Sequence, residues 1–512
     1  MSSIPPILER IPSVFAHKPV SWSTNLMGWV LIACFCWYIV YARLDGLFLY
    51  QCFMDANLWN EATVAIQQGN WTDAAITDRP PLYPILSAIT SSIFAISTQE
   101  ALFYISTFFW TLSLGLLWHI TATTRGIIAG ITIIVAMLYT HTFNFLAVWT
   151  NAQSVCNCLI IVFIWYSYSP RSPTLSKLSI WWHSMGTGCL LGLLPATKEQ
   201  GLIFVPIMAM HWIWRYYKTP ASYSILGFFL GLCPPLFYAL HWYRVSMVGG
   251  SKWQTLQTDL PLLAEKSHWS TIQQGGLNLQ IIQKSDQYLD LAWNIFLSHN
   301  KENTLWIFLL VLMVGVSWYR RKTENTTHPY SAGLLCGILT AIPFVFMPLF
   351  LPYHTSYLTP LAICYIVLGI DGMLPSSFRN RQSIGNSVYL LIIVTSVWRG
   401  TYCGDSLSME TSKCINGRFI PVINWMNKNV SRDQRVFATD PWVKHLKYFT
   451  GRTVNTTEAQ QGVCAPKTIL IRSIQSPVSN LPNNWKELWK RETSIQSPNN
   501  EKHEIWLPRC DK

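Results

Sequence analysis

Charge is what this chain has least of. Only 12% of its 512 residues are charged, 25 acidic against 37 basic, where a soluble globular chain carries about a quarter. The shortage is local: 26–41, 126–148, 154–166, 306–318 and 388–397 are nearly free of charge. Phosphate-binding Gly-Lys loops, Gly-rich dinucleotide turns and nucleophile-elbow serines are also missing, which argues against an ATP-driven pump. No Cys-x-x-Cys pair or His cluster has metal-site spacing, so no metal and no cofactor is expected. Cys156 and Cys158 stand two apart and point to different faces of a helix.

What is present is apolar. Half of the residues are hydrophobic and mean hydropathy is +0.24. Crossing a bilayer core of about 30 Å takes roughly 20 mostly apolar residues, and such runs recur about eleven times. A soluble core would need helices apolar all round, many times over. The net charge of +12 falls between the runs, which reads as loop charge on a multi-pass membrane protein rather than a nucleic-acid surface. Trp22, Trp29, Trp118, Trp181, Trp182, Trp212, Trp214 and Trp242 stand near run ends, where interfacial belts form.

With the N-terminus placed in the cytoplasm, the expected spans are 25–43, 100–121, 126–148, 151–168, 180–196, 200–214, 223–243, 303–319, 331–351, 356–372 and 384–399. The first is read as uncleaved, since no small-residue cleavage site follows it. Every short inside loop is then basic, as the positive-inside rule requires. The scheme holds only if 81–97 lies along or dips into the membrane. The expected organisation is a cytoplasmic segment 1–24, a transmembrane domain 25–400 and an extracytoplasmic domain 401–512. A first outside loop covers 45–99 and a second, long one 247–302. Pro234-Pro235 is expected to interrupt the seventh span.

The tail differs in composition. Phe419, Val422, Ile423 and Met426 share a helical face, 435–440, 468–472 and 503–506 read as strands, and 442–449 as a short helix. The predicted fold class is an all-α polytopic membrane domain of about eleven transmembrane helices, with juxtamembrane helices in the first loop and a small C-terminal α/β domain. Cys403, Cys414, Cys464 and Cys510 are compatible with two disulfides in an exported domain, Cys403 with Cys414 by proximity, or with free thiols. The other cysteines mostly lie in apolar runs, as small packing residues.

The first outside loop carries the candidate chemistry. In 54–71, Leu58, Ala62, Ala65 and Ile66 form one apolar helical face and Gly69 is a stop signal. Asp55 opens that helix. A carboxylate there serves either as an N-cap or as a general base taking a proton from an acceptor hydroxyl. Asp78-Arg79-Pro80-Pro81-Leu82-Tyr83 follows: Pro-Pro enforces an extended entry to an apolar helix. Arg79 at that junction can fork onto a phosphate or anchor at the interface.

Together, an acidic residue after the first span, a short helix ending in Gly-x-Trp and then Arg-Pro-Pro-Leu-Tyr resemble the GT-C superfamily of glycosyltransferases. The likeness is to its protein O-mannosyltransferase and aminoarabinose-transferase branch. It implies a sugar donor on polyprenyl phosphate, a glycan, lipid or protein acceptor, and a site on the non-cytoplasmic face of a plasma or inner membrane. It implies Asp55 as catalytic residue, and Arg79, Tyr83, Lys198, His354 and Tyr357 as substrate-binding residues. Lys198 lies in Gly192-Leu193-Leu194-Pro195-Ala196-Thr197-Lys198-Glu199, similar to the family's Gly-Leu…Thr-Lys-Gly segment, with Glu199 in place of a small residue. His354 and Tyr357 lie in 353–360, similar to a basic-aromatic segment opening a late span. Many members carry a second acid at the outer start of span 4; here Asn151 stands there, and an amide is neither a base nor a charged metal ligand. The competing readings are a transporter or lipid-carrier flippase, which would place ionisable groups mid-membrane, and a non-catalytic assembly protein.

Overall fold

A computed structural model describes residues 20–41, 54–77, 79–144, 151–168, 176–216, 222–249, 329–340, 357–373, 381–399, 420–431, 434–438, 454–455, 468–473, 489–496 and 502–508. Helices follow the apolar runs. Helix α1 is Trp22–Tyr41; the first loop holds α2 (Met54–Gln67), α3 (Trp71–Ile76) and α4 (Leu82–Phe94). Then come α5 (Thr98–Arg125), α6 (Ile127–Leu138), α7 (His141–Asn144), α8 (Gln153–Tyr168), α9 (Lys177–Thr197), α10 (Gly201–Tyr216) and α11 (Ser222–Gly249). The chain continues with α12 (Pro329–Leu339), α13 (Leu358–Met373), α14 (Arg381–Arg399) and, in the tail, α15 (Ile420–Asn429).

Among the described residues, Thr98–Arg125 and Ser224–Ser246 are long and apolar enough to cross a membrane. Shorter apolar helices run over Leu82–Phe94, Ile127–Leu138, Gln153–Tyr168, Gly201–Trp214, Leu358–Gly369 and Gly385–Trp398. Length alone therefore does not reach eleven spans, and 303–319 lies outside the described residues. Helix α4 has 13 residues, about 20 Å at 1.5 Å per residue, well under a bilayer core of about 30 Å.

Two expectations are corrected. The run 126–148 is not one helix: α6 stops at Leu138, and α7 starts afresh at His141. Thr140 Oγ1 donates to the Ala136 carbonyl and Asn144 Nδ2 to the Leu138 carbonyl, both at 2.9 Å, satisfying acceptors that a helix end leaves open. Conversely, Pro234-Pro235 does not interrupt α11, which runs through both prolines for 28 residues. Its partner α9 lies against it along a seam of small residues. A Cβ at Gly188 of α9 would overlap the Phe228 carbonyl, one at Gly231 of α11 the Met185 carbonyl, and one at Gly192 would stand 2.6 Å from the Leu232 carbonyl. Gly188-x-x-x-Gly192 thus meets Gly227-x-x-x-Gly231, the spacing that lets helix backbones approach where lipid offers no hydrophobic drive.

Helix α8 is buried on nearly every side, and so is α13 from Leu358 to Leu368. They form the centre of the apolar core. This is why both Cys156 and Cys158 are buried although they point apart; Cys36, Cys336 and Cys364 are buried too. Cys403, Cys414, Cys464 and Cys510 lie outside the described residues. The tryptophans divide. Trp22, Trp182 and Trp214 are exposed, as belt residues would be, but Trp118, Trp212 and Trp242 are buried. Trp118 lies over Gly28 and Gly130, and Trp212 stacks on Phe228 at 4.4 Å. A run-end tryptophan is a packing residue wherever a neighbouring helix offers a glycine or an aromatic face.

Polar contacts gather at the two ends of the bundle. At the C-terminal end of α5, Asn25 meets His119 at 2.7 Å and accepts from Trp118 Nε1 at 3.1 Å. Arg125 there is buried and donates through Nε and Nη2 to the Leu368 carbonyl at 3.0 and 2.7 Å. Arg125 falls between two apolar runs in the sequence, as a loop charge would, yet it ties α5 to α13. The N-terminal end of α5 carries the first-loop helices. Ser97 and Glu100 form a capping box there, and Thr98 donates to Asn60 of α2 at 2.6 Å.

The tail holds a five-stranded mixed sheet in the order β2-β1-β3-β5-β4. Its strands are β1 (Arg435–Ala438), β2 (Val454–Asn455), β3 (Thr468–Ser473), β4 (Trp489–Gln496) and β5 (Lys502–Pro508). β1 pairs in parallel with β2 and β3; β5 is antiparallel to β3 and β4. Val422, Met426 and Val430 from the α15 segment pack on Val436, Ile469, Ile471 and Ile505. The expected helix and three strands are present, while 442–449 lies outside the described residues. The sequence of β4, WKRETSIQ, carries no apolar alternation, with only Trp489 and Ile495 large and apolar, as a strand at a sheet edge is free to have.

Candidate active site

The site grows from α2. Its buried face is Trp59, Ala62, Thr63 and Ile66, at i, i+3, i+4 and i+7. Gly69 ends it with φ +77°. Asn70 N–H bonds the Ala65 carbonyl and Gly69 N–H the Ile66 carbonyl, the paired bonds of a left-handed C-cap. Asp55 is the second residue of α2, so its backbone lies inside the helix rather than preceding it as a cap. It stands one turn before Trp59.

Trp59 organises what surrounds it. Its ring meets Tyr83 edge-on at 5.2 Å, and the Arg79 guanidinium carbon lies 5.5 Å from its ring centre. A guanidinium over an indole is held by the ring's quadrupole without losing its charge. Arg79 is half-buried, and its carbonyl accepts from Trp242 Nε1 at 2.8 Å. The next residue of α11, Tyr243, donates to the Pro195 carbonyl at 2.6 Å. Neighbouring α11 residues thus tie down the first-loop Arg segment and the end of α9. Trp242 and Tyr243 carry no motif; their signal is an aromatic pair closing a long apolar run.

Pro195 begins the turn that presents Lys198. Lys198 has extended backbone, φ −158° and ψ 149°, and the Gly201 N–H returns to its carbonyl at 2.9 Å. Only glycine fits at 201, where a Cβ would collide with the Leu194 and Pro195 backbone. Lys198 is buried, and its Nζ donates to Asn151 Oδ1 at 3.0 Å. The Cys156 thiol, bonded to Thr197, lies within electrostatic reach of Lys198, Glu199, Tyr243 and Tyr357.

Of the residues singled out from sequence, Arg79, Lys198, Tyr83 and Tyr357 are therefore joined through these contacts at one end of the bundle, with the first turn of α2 beside them. The two tyrosines serve differently from the expectation of substrate contact. Tyr83 is fully buried; its hydroxyl donates to the Leu102 carbonyl and pairs with Ser106, both at 2.7 Å. Burial pushes its phenol far above the ordinary tyrosine value, with the Ser106 bond partly opposing, so it remains a proton donor and pins α4 to α5. Tyr357 is buried against Phe204 at 4.8 Å and accepts from Thr340. Both position the site from behind. His354 lies outside the described residues. No group of three or more metal-ligating side chains occurs among the described residues.

Trp59→Ala would remove the surface on which Arg79 and Tyr83 rest. Truncating a buried Trp costs about 3–5 kcal/mol, so a clear fall in melting temperature is expected in detergent. Trp59→Phe should retain most of that stability.

No protein-family profile and no curated protein sequence matches the chain. Solved structures do. ArnT from Cupriavidus metallidurans bound to undecaprenyl phosphate is similar with a TM-score of 0.56 at 12% identity, covering 94% of this chain and 98% of that one. The apo ArnT structure gives 0.54 at the same identity and coverage. The oligosaccharyltransferase of Archaeoglobus fulgidus tethered with an acceptor peptide gives 0.47 at 11% identity, covering 94% and 74%. The chain shares the ArnT fold over almost its whole length, tail sheet included.

Proposed function

We infer that this chain is an integral membrane glycosyltransferase that moves a sugar from a polyprenyl-phosphate carrier to an acceptor on the non-cytoplasmic face. The observation that carries the reading is the tie made by Trp242 and Tyr243, which gathers the Arg79 and Lys198 segments at the end of the bundle where α2 begins. Two cations held there suit a lipid phosphate, and the ArnT fold, solved with undecaprenyl phosphate, is compatible with such a ligand. Asp55 removes the proton of the acceptor hydroxyl as its oxygen attacks the anomeric carbon from the face opposite the phosphate. The bond from that carbon to the phosphate oxygen breaks, and its electron pair leaves with the carrier. Arg79, with Lys198 or His354, stabilises the charge that develops on the leaving phosphate. The anomeric centre inverts.

A transporter often builds its site on a broken helix, and α11 runs unbroken through Pro234-Pro235. The deciding experiment incubates the purified chain with a panel of polyprenyl-phosphate sugars and envelope acceptors and follows the radiolabelled sugar. Transfer that leaves free polyprenyl phosphate is the expected result. Carrier translocation across proteoliposomes without transfer would replace the enzyme with a flippase. Cysteine labelling at position 79 from the cytoplasmic side would overturn the orientation.

A further inference from the structure

Beside Lys198 lies a cluster that the phosphate chemistry does not use. Asn151, Gln153 and Gln200 are 1%, 0% and 8% exposed. Asn151 Oδ1 accepts from the Gln153 backbone N–H and from Lys198 Nζ, each at 3.0 Å. Two donors converging on one oxygen fix the amide's orientation and turn Nδ2 away as a donor. Gln153 commits Nε2 to Asn157 Oδ1 at 2.9 Å, which leaves Oε1 as an acceptor. Gln200 stands two residues past Lys198 in the turn joining α9 to α10. Asn151 Nδ2, Gln153 Oε1 and Gln200 Oε1 are all buried and have no hydrogen-bond partner among the described residues. Buried polar atoms without partners are rare and costly, and one explanation of a group of them is a ligand that completes them.

We propose that Asn151, Gln153 and Gln200 form a neutral, hydroxyl-reading subsite that selects an uncharged sugar on the carrier and rejects one bearing a protonated amine. The inference rests on the glycosyltransferase reading and deepens it. One amide N–H₂ and two amide oxygens match the alternating donor and acceptor character of vicinal hydroxyls. Charge decides the rest. Lys198 and Glu199 are consecutive and opposite in sign, so with an amide at 151 this corner has no net charge. An ammonium group entering it loses its hydration and finds the Glu199 charge already offset by Lys198, and a buried charge without a net opposite partner is strongly disfavoured. A carboxylate at 151 would supply that partner. The amide therefore acts against the wrong donor as well as for the right one.

The test measures binding to the full chain in nanodiscs by tryptophan quenching, apart from turnover. The probes are bare polyprenyl phosphate, the carrier with a neutral hexose and the carrier with a 4-amino-4-deoxypentose. The hexose carrier should bind about tenfold tighter than the amine carrier, the size of one good hydrogen bond. Asn151→Asp should erase or reverse that preference. Gln200→Met, which keeps volume and removes the acceptor, should weaken the hexose carrier about tenfold and leave bare polyprenyl phosphate unchanged. Equal binding of the two sugar carriers, unmoved by either substitution, overturns the subsite while leaving the proposed enzyme standing. Failure of all three probes to bind overturns the proposed function and the subsite with it.

Discussion

Asp55→Asn should insert, fold and bind the lipid phosphate as the wild type does, and lose about 10²–10⁴-fold in kcat, the usual worth of a positioned general base. The fold predicts that stability survives. Asp55 is the second residue of α2, and the buried face described for that helix is Trp59, Ala62, Thr63 and Ile66. An amide there forfeits only the favourable interaction of a carboxylate with the helix dipole, about 0.3–1 kcal/mol. A loss of a hundredfold or more in turnover corresponds to at least about 2.7 kcal/mol at the transition state, so the two effects separate cleanly. The measurement is single-turnover sugar transfer at saturating donor, with melting temperature as the control. An active wild type beside a fully active variant would remove Asp55 from the reaction.

The largest structural effect is expected at a residue far from any motif. Gly188→Leu should yield little monodisperse protein. The side chain must enter where the Phe228 carbonyl of α11 already lies, and backbone cannot swing aside as a flexible side chain can. Ordinary overpacking costs about 1–3 kcal/mol; here the two helices have to part along the seam from Gly188 to Gly192. That seam also sets where Pro195 meets Tyr243, so whatever protein is recovered should transfer poorly. Gly188→Ala should fall between, and Cys189→Leu, at the exposed position beside it, should be tolerated. Size-exclusion recovery and melting temperature of the three decide the matter. Wild-type behaviour of Gly188→Leu would mean the helices are not held backbone to backbone.

The helices were legible because periodicity and hydrophobicity act locally. So were the α2 stop at Gly69 and most of the tail strands. Legibility failed where a neighbour decided the outcome. Nothing in 126–148 announces that Thr140 and Asn144 will cap α6 in its middle. Pro234-Pro235 reads as an interruption until α9 is seen packed against it. Arg125 counts as a loop charge until the Leu368 carbonyl is found in front of it. Tyr83 and Tyr357 sit in the right motifs, yet their hydroxyls face inward to Leu102, Ser106 and Thr340.

By itself the sequence determined that apolar helices would dominate, that Asp55 would open a short helix just past the first of them, and that Arg79 would stand at the Pro-Pro entry to a later apolar helix. These are consequences of spacing, of glycine's left-handed backbone and of proline's missing N–H. Only the tertiary structure decided that Trp59 carries Arg79, that Trp242 and Tyr243 bring the Lys198 turn to the same place, and that Asn151 holds Lys198 through its side-chain oxygen. The reason is range. A helix is written within a few residues, whereas a site assembled from segments far apart in the chain exists only once packing has chosen which helix ends meet.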